Sequence, residues 1–130
     1  MLNFYQNSSN ASLLLKSSTV KSFLWSPQAT IPLEKKRGEK NYFASDLDTI
    51  VSYGIGWFVV QRKKDLSLKL AYHTGGACGA TSCLLVKPEE NNNGENAKGV
   101  VVAVLCNSQD VSEISKFTMQ LASIYADRDD

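Results

Sequence analysis

Of the side chains in this sequence that can do acid–base chemistry, the most informative is its only histidine, His73. It opens the run His73-Thr74-Gly75-Gly76, an imidazole followed by a hydroxyl and two glycines. Imidazole exchanges protons near neutrality, a threonine hydroxyl can donate or accept, and glycine lets a ligand or another backbone come close. Each residue also has a purely structural reading: a strand-end histidine, a β-branched strand residue, and two glycines of a tight turn or bulge. The three cysteines, Cys78, Cys83 and Cys106, are odd in number and sit at apolar positions, so they read as buried reduced thiols. Cys78-x4-Cys83 with one histidine is too small a set for zinc, and no metal or cofactor is expected.

The elements that must position His73 are bounded by composition. At 130 residues the chain has the length of one domain, with 43% apolar and 21% charged residues. A net charge of +1 gives no strong steering toward nucleic acid or an acidic membrane surface. No apolar run approaches the ~20 residues of a transmembrane helix. The first residues lack the basic, apolar and cleavage regions of a signal peptide.

Residues 1–26 read as helical in broken pieces, with Val20, Phe23 and Leu24 at helical spacing and Ser17 or Ser18 as a cap. Pro27 ends that stretch. Residues 27–51, with Pro32, Gly38 and the Glu34–Arg37 charge cluster, read as an excursion over the surface. A sheet is expected over 53–107. Its first strand is Tyr53 to Gln61, with Gly54 and Gly56 marking a close approach of backbone or ligand. The Arg62–Asp65 turn follows, and then Leu68, Leu70 and Tyr72 alternate toward a His-Thr-Gly-Gly turn. Ala80 to Val86 forms the next strand, stopped by Pro88, and Glu89 to Lys98 reads as a loop. Val100 to Cys106 is continuously apolar, which predicts a central strand covered on both faces. A helix is expected over 110–126, capped by Asp110 and Glu113. Its core stripe would be Val111, Ile114, Phe117, Leu121 and Ile124. Tyr53 and Trp57 read as core aromatics.

His73-Thr74-Gly75 resembles the late Lys/His-Thr-Gly element of the β-lactamase and penicillin-binding protein-like serine hydrolases. The likeness extends to Val20-x4-Trp25-Ser26-Pro27, Tyr53-Gly54-x-Gly56-Trp57, His73-Thr74-Gly75-Gly76-Ala77-x-Gly79-Ala80-x-Ser82, Leu84-Leu85-Val86-x-Pro88-Glu89-Glu90 and the Asp127-Arg128-Asp129-Asp130 ending. Together these are similar to the C-terminal part of the mitochondrial members of that family in animals. The resemblance implies an α/β domain of α+β type. It would be part of a β-lactamase/transpeptidase-like fold with a mainly antiparallel sheet of about four strands, a C-terminal helix and a helical N-terminal stretch.

It also implies roles in an acyl-transfer site. Such a site needs an activated hydroxyl, a proton acceptor and donors for the developing oxyanion. By resemblance, His73 takes the cation position, attracting a substrate carboxylate and aiding proton movement. Thr74 offers its hydroxyl to substrate, Gly75 leaves room, and the Gly76 N–H is the oxyanion donor. The family's nucleophile lies in an early Ser-x-x-Lys and is followed by a Tyr- or Ser-x-Asn element. This sequence contains Ser18-x-x-Lys21 and Tyr5-x-Asn7, but in reversed order and with only about 50 residues between Ser18 and His73, so both read as chance. The chain is therefore expected to be the C-terminal portion of such a hydrolase, inactive alone and acting within the whole on a peptide or other amide. The alternative is a truncated module for interaction or self-association, since its uncovered sheet face would be apolar. Mitochondrial localisation is implied by the resemblance alone.

Overall fold

The computed structural model describes residue 19 and residues 23–31, 48–88 and 99–126. The expected caps at Ser17 and Ser18, the two patterns Ser18-x-x-Lys21 and Tyr5-x-Asn7, the Glu34–Arg37 cluster and the 89–98 loop lie outside these residues, as does most of the helical 1–26 stretch. Among the described residues, no helix is long and apolar enough to cross a membrane.

Among the described residues six strands form one antiparallel meander: β1 (Ala29–Thr30), β2 (Thr49–Tyr53), β3 (Phe58–Arg62), β4 (Leu68–Ala77), β5 (Ala80–Lys87) and β6 (Val100–Cys106). Their spatial order is their chain order. Helix α1 (Ile114–Ala126) returns across β5 and β6. This is the α+β class expected, with more strands than the four anticipated. The difference arises at 27–51, read as a surface excursion. Thr49-Ile50-Val51 is a β-branched run, and Thr49 and Val51 are buried at 2% and 1% exposure. Ala29 and Thr30 then pair with Tyr53 and Ser52 at the sheet edge.

The strand expected from Tyr53 to Gln61 is interrupted. Tyr53 closes β2, Phe58 opens β3, and Gly54-Ile55-Gly56-Trp57 turns between them. The Gly54 N–H donates to the Trp57 carbonyl at 2.8 Å, and Gly56 adopts φ +73°, a conformation without steric cost only for glycine. Gly54 does mark a close backbone approach: an added Cβ would lie 2.7 Å from the Leu24 carbonyl oxygen. Gly56 serves the turn instead.

Both faces of the sheet carry apolar side chains. On one face Val51, Val60, Leu70, Tyr72, Cys83 and Leu85 pack with Ile114 and Ala122 of α1. On the other, Trp25, Val59 and Ala71 form a second cluster, joined by Leu24, Trp57, Leu68 and Val86. Burial of this kind stabilises by ~25 cal/mol per Å² of apolar surface removed from water.

Two expectations about the far end of the sheet are overturned. Among the described residues β6 is an edge strand, and its residues alternate between half-buried and exposed, with Val101 at 63% and Leu105 at 83% exposure. A run of valines satisfies β propensity whether one face is covered or two, so composition alone could not separate the cases. The helix begins at Ile114, not Asp110. Asp110 has φ +57°, outside the conformation of an N-cap, and a turn closes from the Ile114 N–H to the Val111 carbonyl at 3.2 Å.

The buried line of α1 is Ile114, Thr118 and Ala122. Phe117 and Ile124, expected in the core, are 51% and 56% exposed. Thr118 can lie there because its hydroxyl donates to the Ile114 carbonyl at 2.7 Å.

Candidate functional site

His73 and Thr74 lie inside β4, as do Gly75 and Gly76, so the expected His-Thr-Gly-Gly turn is a strand. The reversal comes two residues later, at Cys78-Gly79, where Gly79 takes φ +78°. Glycine at 79 meets the turn's conformational demand, leaving 75 and 76 free to be extended. The hairpin tip is tied to the segment before α1. The Thr81 hydroxyl donates to the Ser108 carbonyl at 2.7 Å and accepts from the Val111 N–H at 3.3 Å. The Gly79 N–H reaches the Gln109 side-chain oxygen at 3.5 Å.

The direction of each backbone group on β4 follows from the ladder. In antiparallel pairing, successive residues point their N–H and C=O to opposite edges. Gly54 and Trp57 face each other across their hairpin, so Phe58 faces β4, where Tyr72 is its partner. Thr74 and Gly76 share the orientation of Tyr72. β3 begins at Phe58, and among the described residues no strand flanks β4 on that side beyond Tyr72. The alternate residues His73, Gly75 and Ala77 face Leu84, Ser82 and Ala80 of β5. The N–H and C=O groups of Thr74 and Gly76 therefore line an open sheet edge, able to receive an extended chain or a carbonyl oxygen.

The His73 side chain is exposed beside this edge. Its Nε2 lies 3.1 Å from the Tyr53 hydroxyl. The Tyr53 ring meets the Phe58 ring edge-on at 4.9 Å between centroids, and Phe58 stacks on Tyr72 at 4.9 Å. Phe58 also lies 6.1 Å from the imidazole. Thus Tyr53, which its sequence neighbours mark only as a core aromatic, belongs to the site. The signal for it lay in Gly54 and Gly56: once they form a turn, Tyr53 and Phe58 become cross-strand partners next to Tyr72 and His73.

The space over Gly75 is occupied from within the protein. A Cβ there would fall 2.6 Å from Ser82 Oγ, which itself approaches the Gly75 carbonyl at 3.4 Å. Gly76 faces open space, with nothing within 4 Å of an added Cβ. Cys78, expected to be buried, is exposed on the turn, and Cys106 is half-buried. Cys83 is buried, and burial pushes its thiol pKa up despite hydrogen bonds with Thr118 and Ser115. Burial likewise raises the Tyr72 phenol far above its ordinary range, so it stays neutral. Neither group is fitted for nucleophilic work.

The sequence also has relatives among known proteins. It is 42% identical to the human mitochondrial serine β-lactamase-like protein LACTB over an alignment of 69 residues that covers 45% of this chain. The bovine and mouse proteins of the same name match at 42% and 41% over alignments of the same length. The chain is a relative of the serine β-lactamase-like proteins. It spans only 12–13% of the length of these relatives, and no family model matches it. The structure brings His73, Thr74, Gly75 and Gly76 together on one strand, adds Tyr53 and places Ser82 across from Gly75. Ser18 and Lys21, the Ser-x-x-Lys pattern of this sequence, lie outside the described residues.

Proposed function

We propose that this chain is the C-terminal portion of a single β-lactamase-like domain and supplies one wall of an acyl-transfer site acting on peptide or other amide bonds. The observation that carries the proposal is the open β4 edge at Thr74 and Gly76 with the exposed imidazole of His73 beside it. An amide substrate lying along that edge would meet the Gly76 N–H with its carbonyl. That N–H stabilises charge on the oxygen as the carbonyl becomes tetrahedral. His73 sits where it can attract a substrate carboxylate or move a proton, and the Thr74 hydroxyl adds a second polar contact. The attacking serine belongs to another part of the whole hydrolase, and Ser18 is not it. The mitochondrial names of the relatives support a mitochondrial site of action.

A serine-reactive acylating probe tests this assignment by intact mass. The 130-residue chain should remain unlabelled. A covalent adduct that disappears in Ser18→Ala would overturn the reading of Ser18.

A second reading, a non-catalytic interaction or assembly module, is favoured by one specific observation. Leu84, Val101 and Leu105 are exposed on β5 and β6, while Phe117, Ile124 and Tyr125 are exposed on α1. Apolar surface of this kind marks interaction sites. Sedimentation distinguishes the readings: concentration-dependent association abolished by Leu105→Ser supports assembly, and a monomer at all concentrations counts against it.

A further inference from the structure

We propose that Tyr53 is a positioning residue for His73. Its hydroxyl donates to Nε2, holding the neutral imidazole in the tautomer that carries its proton on Nδ1, so that Nδ1–H is the group presented to a substrate. The proposal deepens the reading of the His73 site and rests on that reading for its functional meaning. The hydrogen bond and the tautomer can be tested without it.

The geometry starts with the 3.1 Å separation of the Tyr53 hydroxyl and Nε2. A neutral imidazole has one N–H and one bare nitrogen, and the bare nitrogen is a strong acceptor. A phenol is a good donor and a weaker acceptor, because its oxygen lone pair is shared with the ring. The matched arrangement is therefore O–H···N, which requires Nε2 to be bare and the proton to sit on Nδ1. Among the described residues Nδ1 has no partner.

Tyr53 is itself held in place. Its carbonyl accepts from the Gln28 N–H at 2.8 Å, fixing the end of β2 against β1. Its ring packs edge-on against Phe58 at 4.9 Å with an interplanar angle of 83°. Phe58 is in turn stacked on Tyr72, which is buried at 5% exposure. The hydroxyl is thus carried on a ring whose position is fixed by packing, while His73 is exposed and would otherwise choose its rotamer freely. An ordered partner on one ring nitrogen sets the tautomer and the direction of the other. The ordering concerns the side chain alone. The Phe58–Tyr72 stack does not involve the Tyr53 hydroxyl.

The single histidine makes the test unambiguous, because every imidazole signal in the spectrum belongs to His73. Long-range ¹H–¹⁵N correlation spectra of the 130-residue chain, recorded at about pH 9 where imidazoles are neutral, report which nitrogen is protonated. Wild type should show predominantly the Nδ1–H pattern. Tyr53→Phe keeps the ring and removes only the hydroxyl. It should shift the tautomer ratio toward Nε2–H by roughly three- to tenfold, the range open to one exposed hydrogen bond, with the amide spectrum otherwise unchanged. A wild-type spectrum dominated by Nε2–H overturns the proposal regardless of how the variant behaves. An Nδ1–H pattern that persists unchanged in Tyr53→Phe also overturns it, by assigning the tautomer to another cause. Loss of the acyl-transfer assignment by other experiments would leave both spectra as expected here, so the two failures are separable.

Discussion

The same substitution at two glycines of this chain should have opposite effects. At Gly54 an added methyl would lie 2.7 Å from the Leu24 carbonyl oxygen, 3.2 Å from the Ser26 carbonyl oxygen and 3.3 Å from Val59 Cγ2. The first distance is well inside contact, and the obstructing atom is backbone. The segment Leu24–Ser26 must therefore move away, and it carries Trp25, which is 7% exposed in the cluster with Val59 and Ala71. Overpacking of this kind costs about 1–3 kcal/mol. Alanine also reduces the freedom of the unfolded chain, which offsets ~0.4–1 kcal/mol. Gly54→Ala should thus lose on the order of 1–2 kcal/mol. At Gly76 nothing lies within 4 Å of the added Cβ, and the backbone is extended. Only the unfolded-state term remains, so Gly76→Ala should be neutral or gain up to ~1 kcal/mol. Urea unfolding followed by tryptophan fluorescence measures both, and Trp25 and Trp57 are the only reporters. Gly54→Ala should lower the urea midpoint and shift emission to the red as Trp25 loosens. Wild-type stability with unchanged emission in Gly54→Ala would refute the packing of Leu24–Ser26 against the β2–β3 hairpin.

Thiol labelling in the folded state should modify Cys78 first and leave Cys83 protected until the chain is unfolded, because Cys83 is 2% exposed and its thiolate is disfavoured by burial. Native-state amide exchange should find Thr74 and Gly76 fast and His73 and Gly75 slower. The opposite order would mean that the ladder assignment on β4 is inverted. The Asp65 carboxylate sits below its usual range because the Ser67 hydroxyl and N–H bond to it, at 2.6 and 2.9 Å. A lowered pKa stabilises the fold above the unfolded value of about 4 and loses that contribution as pH falls through the folded value. The urea midpoint of Asp65→Ala should therefore approach that of wild type in acid, and a gap that widens there would contradict the assignment.

The sequence was most informative where chemistry and shape are local. The alternation of Leu68, Leu70 and Tyr72 placed β4, and the continuous apolar run placed β6. The likeness around His73 pointed to the same relatives that the comparison finds. The errors share one physical origin: residue pattern states what an element can tolerate, not what its neighbours are. Val100–Cys106 tolerates two covered faces but has only one. Phe117 and Ile124 could have entered the core, yet the smaller Thr118 and Ala122 pack there instead. The turn at Gly56 was read as strand, and the turn expected at Gly75-Gly76 falls a few residues later. The turns fall at Ile55-Gly56 and Cys78-Gly79, where φ is positive at the glycine, while Gly75 and Gly76 are strand residues. That displacement matters for function, because a turn at 75–76 would not leave an extended edge. The Tyr53 contact was hidden for the same reason, since it depends on register across three strands.

The proposal that His73 serves an acyl-transfer site is tested most directly by steady-state kinetics on a longer form of this chain that turns over an amide substrate. With that protein, His73→Ala should lower kcat/KM by roughly 10²–10⁴-fold, the scale of a general acid–base group. Folding stability should barely change, since the side chain is exposed. Full activity in His73→Ala would contradict the account.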